Sequence, residues 1–362
     1  LKIKFMNKLL IAFFLFLLPF GWIKATASSH PESFPWKAQW INTERCQSAT
    51  NTWLIYRKSF AVTDVPNQLI ARIAADSKYW LWINDQLVIF EGGLKRGPSP
   101  SGTYYDPVDI APYLTKGSNT IAILLWHFGK DGFSHINSGK AALLFEAIAP
   151  GLEIVSDASW QCALYEAYQN TEAPFPNYRM PESNIRFDAR QAITNWNRTS
   201  FEGFLPGAVC VGKAGKAPFG DLVERPIPQW KNSGLLSYVS VRESLRGDTL
   251  FCRLPYNAQI TPYLKVEAEA GKTIHIRMDN YEGGSERNVR AEYITREGEQ
   301  EYESYGWMNG HEVYYIIPEG VKVLDVKYRE TGYNTDLAGS FHCDDPFYDE
   351  LWQRSARTLY IT

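Results

Sequence analysis

The chain has 362 residues, a formal net charge of −3 and a hydrophobic content of 45%. This length exceeds one ordinary domain and suits two, and the composition is that of globular proteins with sizeable cores. The slightly acidic charge argues against a nucleic-acid partner, which needs a basic surface to neutralise phosphate, and against electrostatic binding to a membrane.

The N-terminal segment has the pattern of a signal peptide over residues 1–27. A basic start with Lys2, Lys4 and Lys8 precedes an apolar run over residues 9–23. Small residues, Ala25 and Ala27, then mark a cleavage site. The apolar run is short for a bilayer span of about 20 residues. We therefore expect export to the periplasm or the extracellular space, with no membrane contact after cleavage.

Residues 28–225 are predicted to form a first β-sandwich. Strand patterns cover residues 53–60, 70–74 and 79–83, and the last of these returns as 86–90 through Asn84 and Asp85. This pair tolerates positive φ and is typical of a β-hairpin. Apolar runs at 120–126 and 141–147 are predicted to pair as central strands. Short strands between frequent turns favour a sandwich or jelly roll.

Residues 226–340 are predicted to form a second β-sandwich. A stretch rich in Pro, Gly and Lys over residues 206–228 marks the linker before it. Strand patterns then recur at 260–268, 273–278, 311–317 and 321–330. The predicted fold class is thus all-β, with two consecutive jelly-roll-like sandwiches.

The pattern changes to helical in residues 341–362. Asp344, Asp345 and Pro346 form a helix start, with a capping carboxylate and a proline in the first turn. Apolar and small residues then follow at helical spacing at Phe347, Leu351, Trp352, Ser355, Ala356 and Leu359. Such a stripe needs a packing partner, so we expect the chain to be a fragment that continues into a helical domain.

Two groups of residues are candidates for binding carbohydrate. Trp126, His127, Asp131 and His135 lie in or beside a glycine-containing loop that leaves an apolar strand. A sugar-contacting loop and a loop locked by its own hydrogen bonds both fit this pattern. Trp80 and Trp82 share one strand face, which is a core face, a domain interface or a sugar platform.

Other chemistry finds little support in the sequence. Glu297, Glu299, Glu301 and Glu303 alternate along one strand, where like charges predict a solvated, partly ion-paired surface. No Cys-x-x-Cys pair occurs, and the two His and one Asp of the candidate loop match no metal motif. We therefore predict no metal site and no cofactor.

An ordered series of short motifs carries a family resemblance. Residues 288–362 contain Val289-Arg290-Ala291-Glu292-Tyr293, Trp307-Met308-Asn309-Gly310-His311, Tyr328-Arg329-Glu330-Thr331-Gly332-Tyr333 and Leu351-Trp352. Ala38-Gln39-Trp40-Ile41, residues 128–135 and residues 185–190 precede them in the expected order. Together they resemble the β-domains and the first barrel helix of bacterial α-L-rhamnosidases of glycoside hydrolase family 78.

The resemblance implies an enzyme that hydrolyses terminal α-L-rhamnosides with inversion, through two carboxyl groups about 6.5–9.5 Å apart. In that family both groups lie in an (α/α)-barrel, whose Asp-Cys-Pro-x-Arg-Glu-Arg stretch this sequence lacks. No catalytic residue can be assigned, so we expect the chain alone to be inactive. The implied partners are a rhamnose-containing glycan or glycoside and the missing C-terminal barrel. The alternative is a stand-alone carbohydrate-binding β-sandwich protein without catalytic activity.

Overall fold

The computed structural model describes residues 35–93, 102–132, 135–171, 185–279 and 290–361. The predicted signal peptide, and the motif residues Phe133, Ser134 and Val289, lie outside these ranges.

Two sheets form the first sandwich. In chain order its strands are β1 Gln39–Asn42, β2 Thr52–Val62, β3 Ile70–Asp76, β4 Lys78–Ile83, β5 Gln86–Gly93, β6 Thr103–Asp109, β7 Gly117–His127, β8 Ala142–Ala149, β9 Leu152–Val155, β10 Gln161–Leu164, β13 Val209–Lys213 and β14 Leu222–Glu224. One sheet has the order β13-β1-β8-β3-β6-β14, with β9 beside β8, and the other has the order β10-β2-β7-β4-β5.

The predicted hairpin between β4 and β5 is confirmed. Asn84 and Asp85 have φ values of 46° and 70°, and the strands pair antiparallel on either side of them. Positive φ at both turn residues matches the right-handed twist of the flanking strands.

The predicted pairing of residues 120–126 with 141–147 is wrong. Strand β7 lies between β2 and β4, whereas β8 pairs with β1, β3 and β9 in the opposite sheet. Continuous apolar runs fit any central strand, so the composition of each run does not select its partner.

The first core lies between the two sheets. Alternate residues of the five-stranded sheet point into it, among them Tyr79, Leu81, Ile123 and Leu125. They meet residues such as Phe145 from the seven-stranded sheet.

The second sandwich is one continuous ten-stranded sheet that folds over its own core. Its strands are β11 Tyr168–Asn170, β12 Ile185–Asp188, β15 Lys231–Leu236, β16 Ser240–Glu243, β17 Thr249–Ala268, β18 Thr273–Met278, β19 Ala291–Ile294, β20 Gly298–Glu303, β21 Met308–Ile316 and β22 Val321–Gly332. The 20-residue β17 belongs to both layers, since its first half pairs with β16 and β21 and its second half with β20 and β22.

Strands β11 and β12 link the two sandwiches. They lie within residues 28–225 of the chain, yet β12 pairs in parallel with β19 of the second sheet. Two strands from the range predicted for the first sandwich therefore belong to the sheet of the second.

A helix follows the two sandwiches, as predicted. Helix α1 spans Pro346–Ile361, and no residue in it is buried. Its exposed apolar residues include Phe347, Leu351 and Leu359. Within the described ranges, no helix combines the length and hydropathy needed to cross a bilayer.

Candidate functional site

Trp80 and Trp82 lie on a buried face of the five-stranded sheet. Because side chains alternate along β4, Tyr79, Leu81 and Ile83 enter the first core while the two tryptophans point to the opposite side. Trp80 is fully buried and Trp82 is 8% exposed. The five-stranded sheet is therefore covered on both faces.

An aromatic stack covers this second face. The ring of Trp53 lies 4.4 Å from that of Trp126 and 3.9 Å from that of Tyr168 on β11. Trp80 stacks on Tyr305, at 4.7 Å between centroids. Tyr305 follows β20, so the stack joins the first sandwich to the second; we call it the aromatic junction.

The junction occupies the ring faces that a sugar would need. Trp80 and Trp82, for which a core face, a domain interface and a sugar platform are all possible, are buried between the sandwiches, and so is Trp126 of the candidate loop. Sugar binding by these rings stays a prediction, and it would require Trp80 and Trp126 to separate from Trp53 and Tyr305, and Trp82 from Trp196.

Asn51 fixes the edge of the aromatic junction. Its side-chain oxygen accepts the indole N–H of Trp126 at 2.6 Å and that of Trp53 at 3.3 Å. Its amide donates to Asn170 on β11 at 2.7 Å. Buried Trp N–H groups need such acceptors, so one side chain satisfies two indoles and holds β11 in place.

His127 and His135 converge on the buried Asp76. The Nδ1 atom of His127 lies 3.3 Å from Asp76 Oδ1, and Nε2 of His135 lies 3.8 Å from the same oxygen. Ser138 donates its backbone N–H to Asp76 Oδ2 at 2.7 Å. Burial would raise the pKa of the Asp76 carboxyl, but its contacts with His127, Ser138 and His135 hold that pKa below its usual value.

This cluster contains Ser, His and Asp, but its geometry is that of a locked loop. The Ser77 hydroxyl lies 3.1 Å from His135 Nε2, the same nitrogen that faces Asp76. A nucleophilic triad needs its histidine to use two different nitrogens for serine and aspartate. The Ser77 oxygen also accepts the N–H of Phe128 at 3.1 Å.

Asp131 is the exposed member of the predicted loop site. Its carboxylate accepts the backbone N–H of Asn137 at 2.7 Å and so closes the loop on itself. The structure thus brings His127 and His135 together, and places Asp131 outside their cluster. Sugar contact by these three residues stays a prediction.

A buried ion pair at the junction was missed by sequence reasoning. The ammonium of Lys78 lies 2.8 Å from Glu91 Oε1, and both side chains are almost fully buried. Trp307 of the second sandwich donates its indole N–H to the same carboxylate at 3.1 Å, and its ring lies 4.5 Å from Lys78 Nζ. The sequence signal that could have revealed this pair is Lys78, a charged residue at the start of the apolar strand β4.

Helix α1 is anchored near its C-terminus. The guanidinium of Arg357 lies against the ring of Tyr256 and donates to Glu330 at 3.1 Å. The backbone N–H of Tyr333 donates to the carbonyl of Tyr360 at 2.7 Å. Burial and the nearby Glu330 carboxylate raise the pKa of Tyr360 to about 12.

Two of the four acidic residues are ion-paired, which confirms the predicted partly ion-paired surface, whereas Glu297 lies in the bend before β20 and not on the strand. Glu299 pairs with Lys265 at 2.6 Å, Glu301 accepts a hydrogen bond from the Tyr263 hydroxyl at 2.7 Å, and Glu303 pairs with Arg329 at 2.8 Å.

Across the described residues, no group of three or more His, Cys, Asp or Glu is placed to hold a metal ion.

The fold defines a class of protein: a two-sandwich module followed by a helix. Among solved structures it is similar to the family 78 rhamnosidase of Bacillus sp. GL1, with a TM-score of 0.78 and 17% identity over 90% of this chain. It is also similar to the α-L-rhamnosidases of Dictyoglumus thermophilum and Aspergillus terreus, with TM-scores of 0.66 and 0.63, each at 20% identity. These matches cover 88% and 87% of this chain.

The particular fold is thus one found in α-L-rhamnosidases of glycoside hydrolase family 78, as the motifs predicted. The chain spans 58% of the Bacillus protein and 38% of each of the other two. No protein-family model matches the sequence, and no curated protein sequence matches it.

Proposed function

We propose that this chain is the N-terminal accessory region of a secreted α-L-rhamnosidase that hydrolyses terminal α-L-rhamnosides with inversion. The observation that carries the proposal is the fold shared over 90% of this chain with 58% of a rhamnosidase. The catalytic (α/α)-barrel belongs to the remaining part of such an enzyme.

In this proposal the two sandwiches position the barrel and perform no chemistry. The exposed stripe of α1 supports this role, since Phe347 is 62% exposed and Leu359 is 65% exposed. An apolar stripe of this kind gains stability by packing against neighbouring helices. Arg357 and Tyr360 fix the helix on the second sandwich, so that the sandwich sets the direction in which the barrel is built.

An activity assay tests the catalytic part of the proposal. The purified chain is expected to release no product from an aryl α-L-rhamnoside. The same chain joined to the polypeptide encoded directly downstream is expected to hydrolyse it, with β-rhamnose as the first product seen by NMR. Turnover by the chain alone, or none by the joined protein, would contradict the proposal.

A second assay tests export. Residues 1–27 carry the signal pattern, so a reporter fused behind them is expected to leave the cytoplasm and to begin near residue 28. A matched fusion that starts at residue 28 is the control and should remain inside the cell. Equal retention of both fusions would argue against secretion.

A further inference from the structure

Strand β16 is an edge strand of the second sheet. It spans Ser240–Glu243, each of its residues is exposed, and it pairs with β17. Within the described ranges, no other strand lies beside it. An edge strand of this kind presents backbone N–H and C=O groups to which another strand can add.

The register determines which backbone groups of β16 point outward. Ser244 donates its N–H to the carbonyl of Thr249 at 2.8 Å. Hydrogen-bonded pairs alternate along an antiparallel ladder. Arg242 therefore also bonds to β17, whereas the backbone groups of Val241 and Glu243 point away from it. Across the described part of the chain, neither of these two residues has a backbone partner on that outer side.

A cleft opens beside this edge. It has a volume of about 570 Å³ and is lined by β16, by the start of β17 and by residues 321–326 of β22. Strand β15 pairs with β22 only through residues 328–332, so it does not extend along the part of β22 that lines the cleft. The walls are mostly branched aliphatic side chains, among them Leu250, Ile317 and Val323. We call β16 together with this cleft the seam.

The seam carries an unpaired negative charge. The side chain of Glu243 is exposed, and among the described residues its carboxylate has neither an ion-pair partner nor a hydrogen-bond donor. The second acidic lining residue, Asp325, pairs with Lys327 at 2.8 Å. The lining residues in the described ranges include no Lys, Arg or His. A cationic group beside the apolar walls would therefore complement the charge of Glu243.

We propose that the seam binds an extended peptide segment of a separate protein, which adds as a strand to β16. The backbone of the peptide bonds to the outward groups of Val241 and Glu243, which is how peptides extend other exposed sheet edges. Side chains directly opposite each other on paired strands lie on the same face. The peptide therefore carries an apolar residue opposite Val241 and a basic residue opposite Glu243, two positions apart.

The seam is distinct from the surface of α1. Arg357 of the helix contacts β22 at Glu330, about 23 Å along the strand from Val323 in the seam. The proposed function assigns the apolar stripe of α1 to the barrel and assigns no partner to β16. The inference therefore goes beyond the accessory role, and it holds whether or not the chain precedes a hydrolase domain.

Calorimetric titration of the purified chain with a short synthetic peptide tests this inference. The peptide has a valine and a lysine two positions apart in a run of threonines, a strand-forming sequence. Binding is expected, and replacing the lysine by glutamate should weaken it about tenfold through loss of a charge-assisted contact. The same peptide with N-methylated backbone amides is the matched ligand and should not bind. Equal binding of the three peptides, or no binding of the lysine peptide, would overturn the proposal.

Variants locate the site. Val241→Pro removes an outward N–H, and proline is tolerated where the N–H of an edge strand faces solvent, so it should weaken binding about tenfold without unfolding the sheet. Glu243→Lys should reverse the preference, so that the glutamate peptide binds better than the lysine peptide. Glu202→Lys, the same charge change at an exposed position outside the second sheet, should leave the preference as it is. Circular dichroism checks that each variant is folded, and an unchanged preference in folded Glu243→Lys would refute the site.

Two further results would identify a different occupant of the seam. A dimer of the chain that Val241→Pro dissociates, seen by sedimentation velocity, would assign the seam to a second copy. Loss of peptide binding in the chain joined to its downstream polypeptide would assign the seam to that polypeptide. Either result would overturn the proposal of a separate partner and leave the proposed function unaffected.

Discussion

The guanidinium carbon of Arg357 on α1 lies 3.2 Å from the centre of the Tyr256 ring on β17, and the same group donates to Glu330 on β22. Replacement by alanine removes a cation–π contact and a charge-assisted hydrogen bond, a loss of about 2 kcal/mol. We expect Arg357→Ala to release α1, seen as faster amide exchange in residues 346–361. Arg354→Ala, whose side chain pairs with Glu350 within the helix, should leave exchange nearly unchanged.

Gly332 allows Tyr360 to lie on β22. A Cβ atom at position 332 would stand 2.3 Å from Cζ of the Tyr360 ring, so Gly332→Ala must displace that ring. We expect faster proteolysis of α1 in this variant. Gly339→Ala is the matched control, because a Cβ there meets nothing within 4 Å. Equal cleavage of the two variants would show that the ring contact does not hold the helix.

The stack of Trp80 on Tyr305 should couple the two sandwiches energetically. We expect a double-mutant cycle with Trp80→Ala and Tyr305→Ala to give a coupling free energy of about 1 kcal/mol, the usual value for an aromatic pair. Urea unfolding supplies the four free energies. A cycle of Trp80→Ala with Phe251→Ala should give a coupling near zero, since Phe251 lies on the outer face of the second sheet.

The buried pair of Lys78 and Glu91 should tolerate joint replacement better than single replacement. Lys78→Met leaves the carboxylate of Glu91 buried without its cation, at a cost of about 3–5 kcal/mol. The double variant Lys78→Met with Glu91→Gln removes both charges and should recover part of that loss. Denaturant midpoints measure both variants, and a double variant less stable than Lys78→Met would contradict this account.

Asp76 predicts a dependence of stability on pH. Its pKa is lowered in the folded state, so its contribution is fully present above the unfolded pKa of about 4 and is lost as pH falls through the lower, folded value. Asp76→Asn should cost about 3 kcal/mol at pH 7, and its deficit should shrink in acid.

Asp64→Asn is the matched control for that pH series. The Asp64 side chain is 87% exposed and lies 3.8 Å from Lys116, so its replacement should shift unfolding by well under 1 kcal/mol at every pH. A deficit of Asp76→Asn that stays constant down to pH 3 would show that the carboxylate charge is not what stabilises the cluster.

Local patterns predicted the local structure well. The Asn84 and Asp85 turn, the alternating strand at residues 273–278 and the helix after Pro346 depend on neighbours in sequence, and all three are present. Such signals depend on the preferred dihedrals of turn residues and on side-chain periodicity.

Long-range pairing could not be predicted in the same way. Alternation along β4 shows that Trp80 and Tyr79 face opposite sides, but it does not reveal that Tyr305 covers the Trp80 side. Strand β12 joins β19 more than 100 residues later, and no local pattern specifies that partner.

The five-stranded sheet, with one face in the first core and the other in the aromatic junction, is a middle layer between the seven-stranded sheet and the second sandwich. Residues 36–362 accordingly form one compact unit. Cutting the chain near residue 225 would leave β11 and β12 without their sheet and expose Trp80, a large apolar surface to water. The module should therefore melt in a single cooperative transition, and separately produced halves should aggregate.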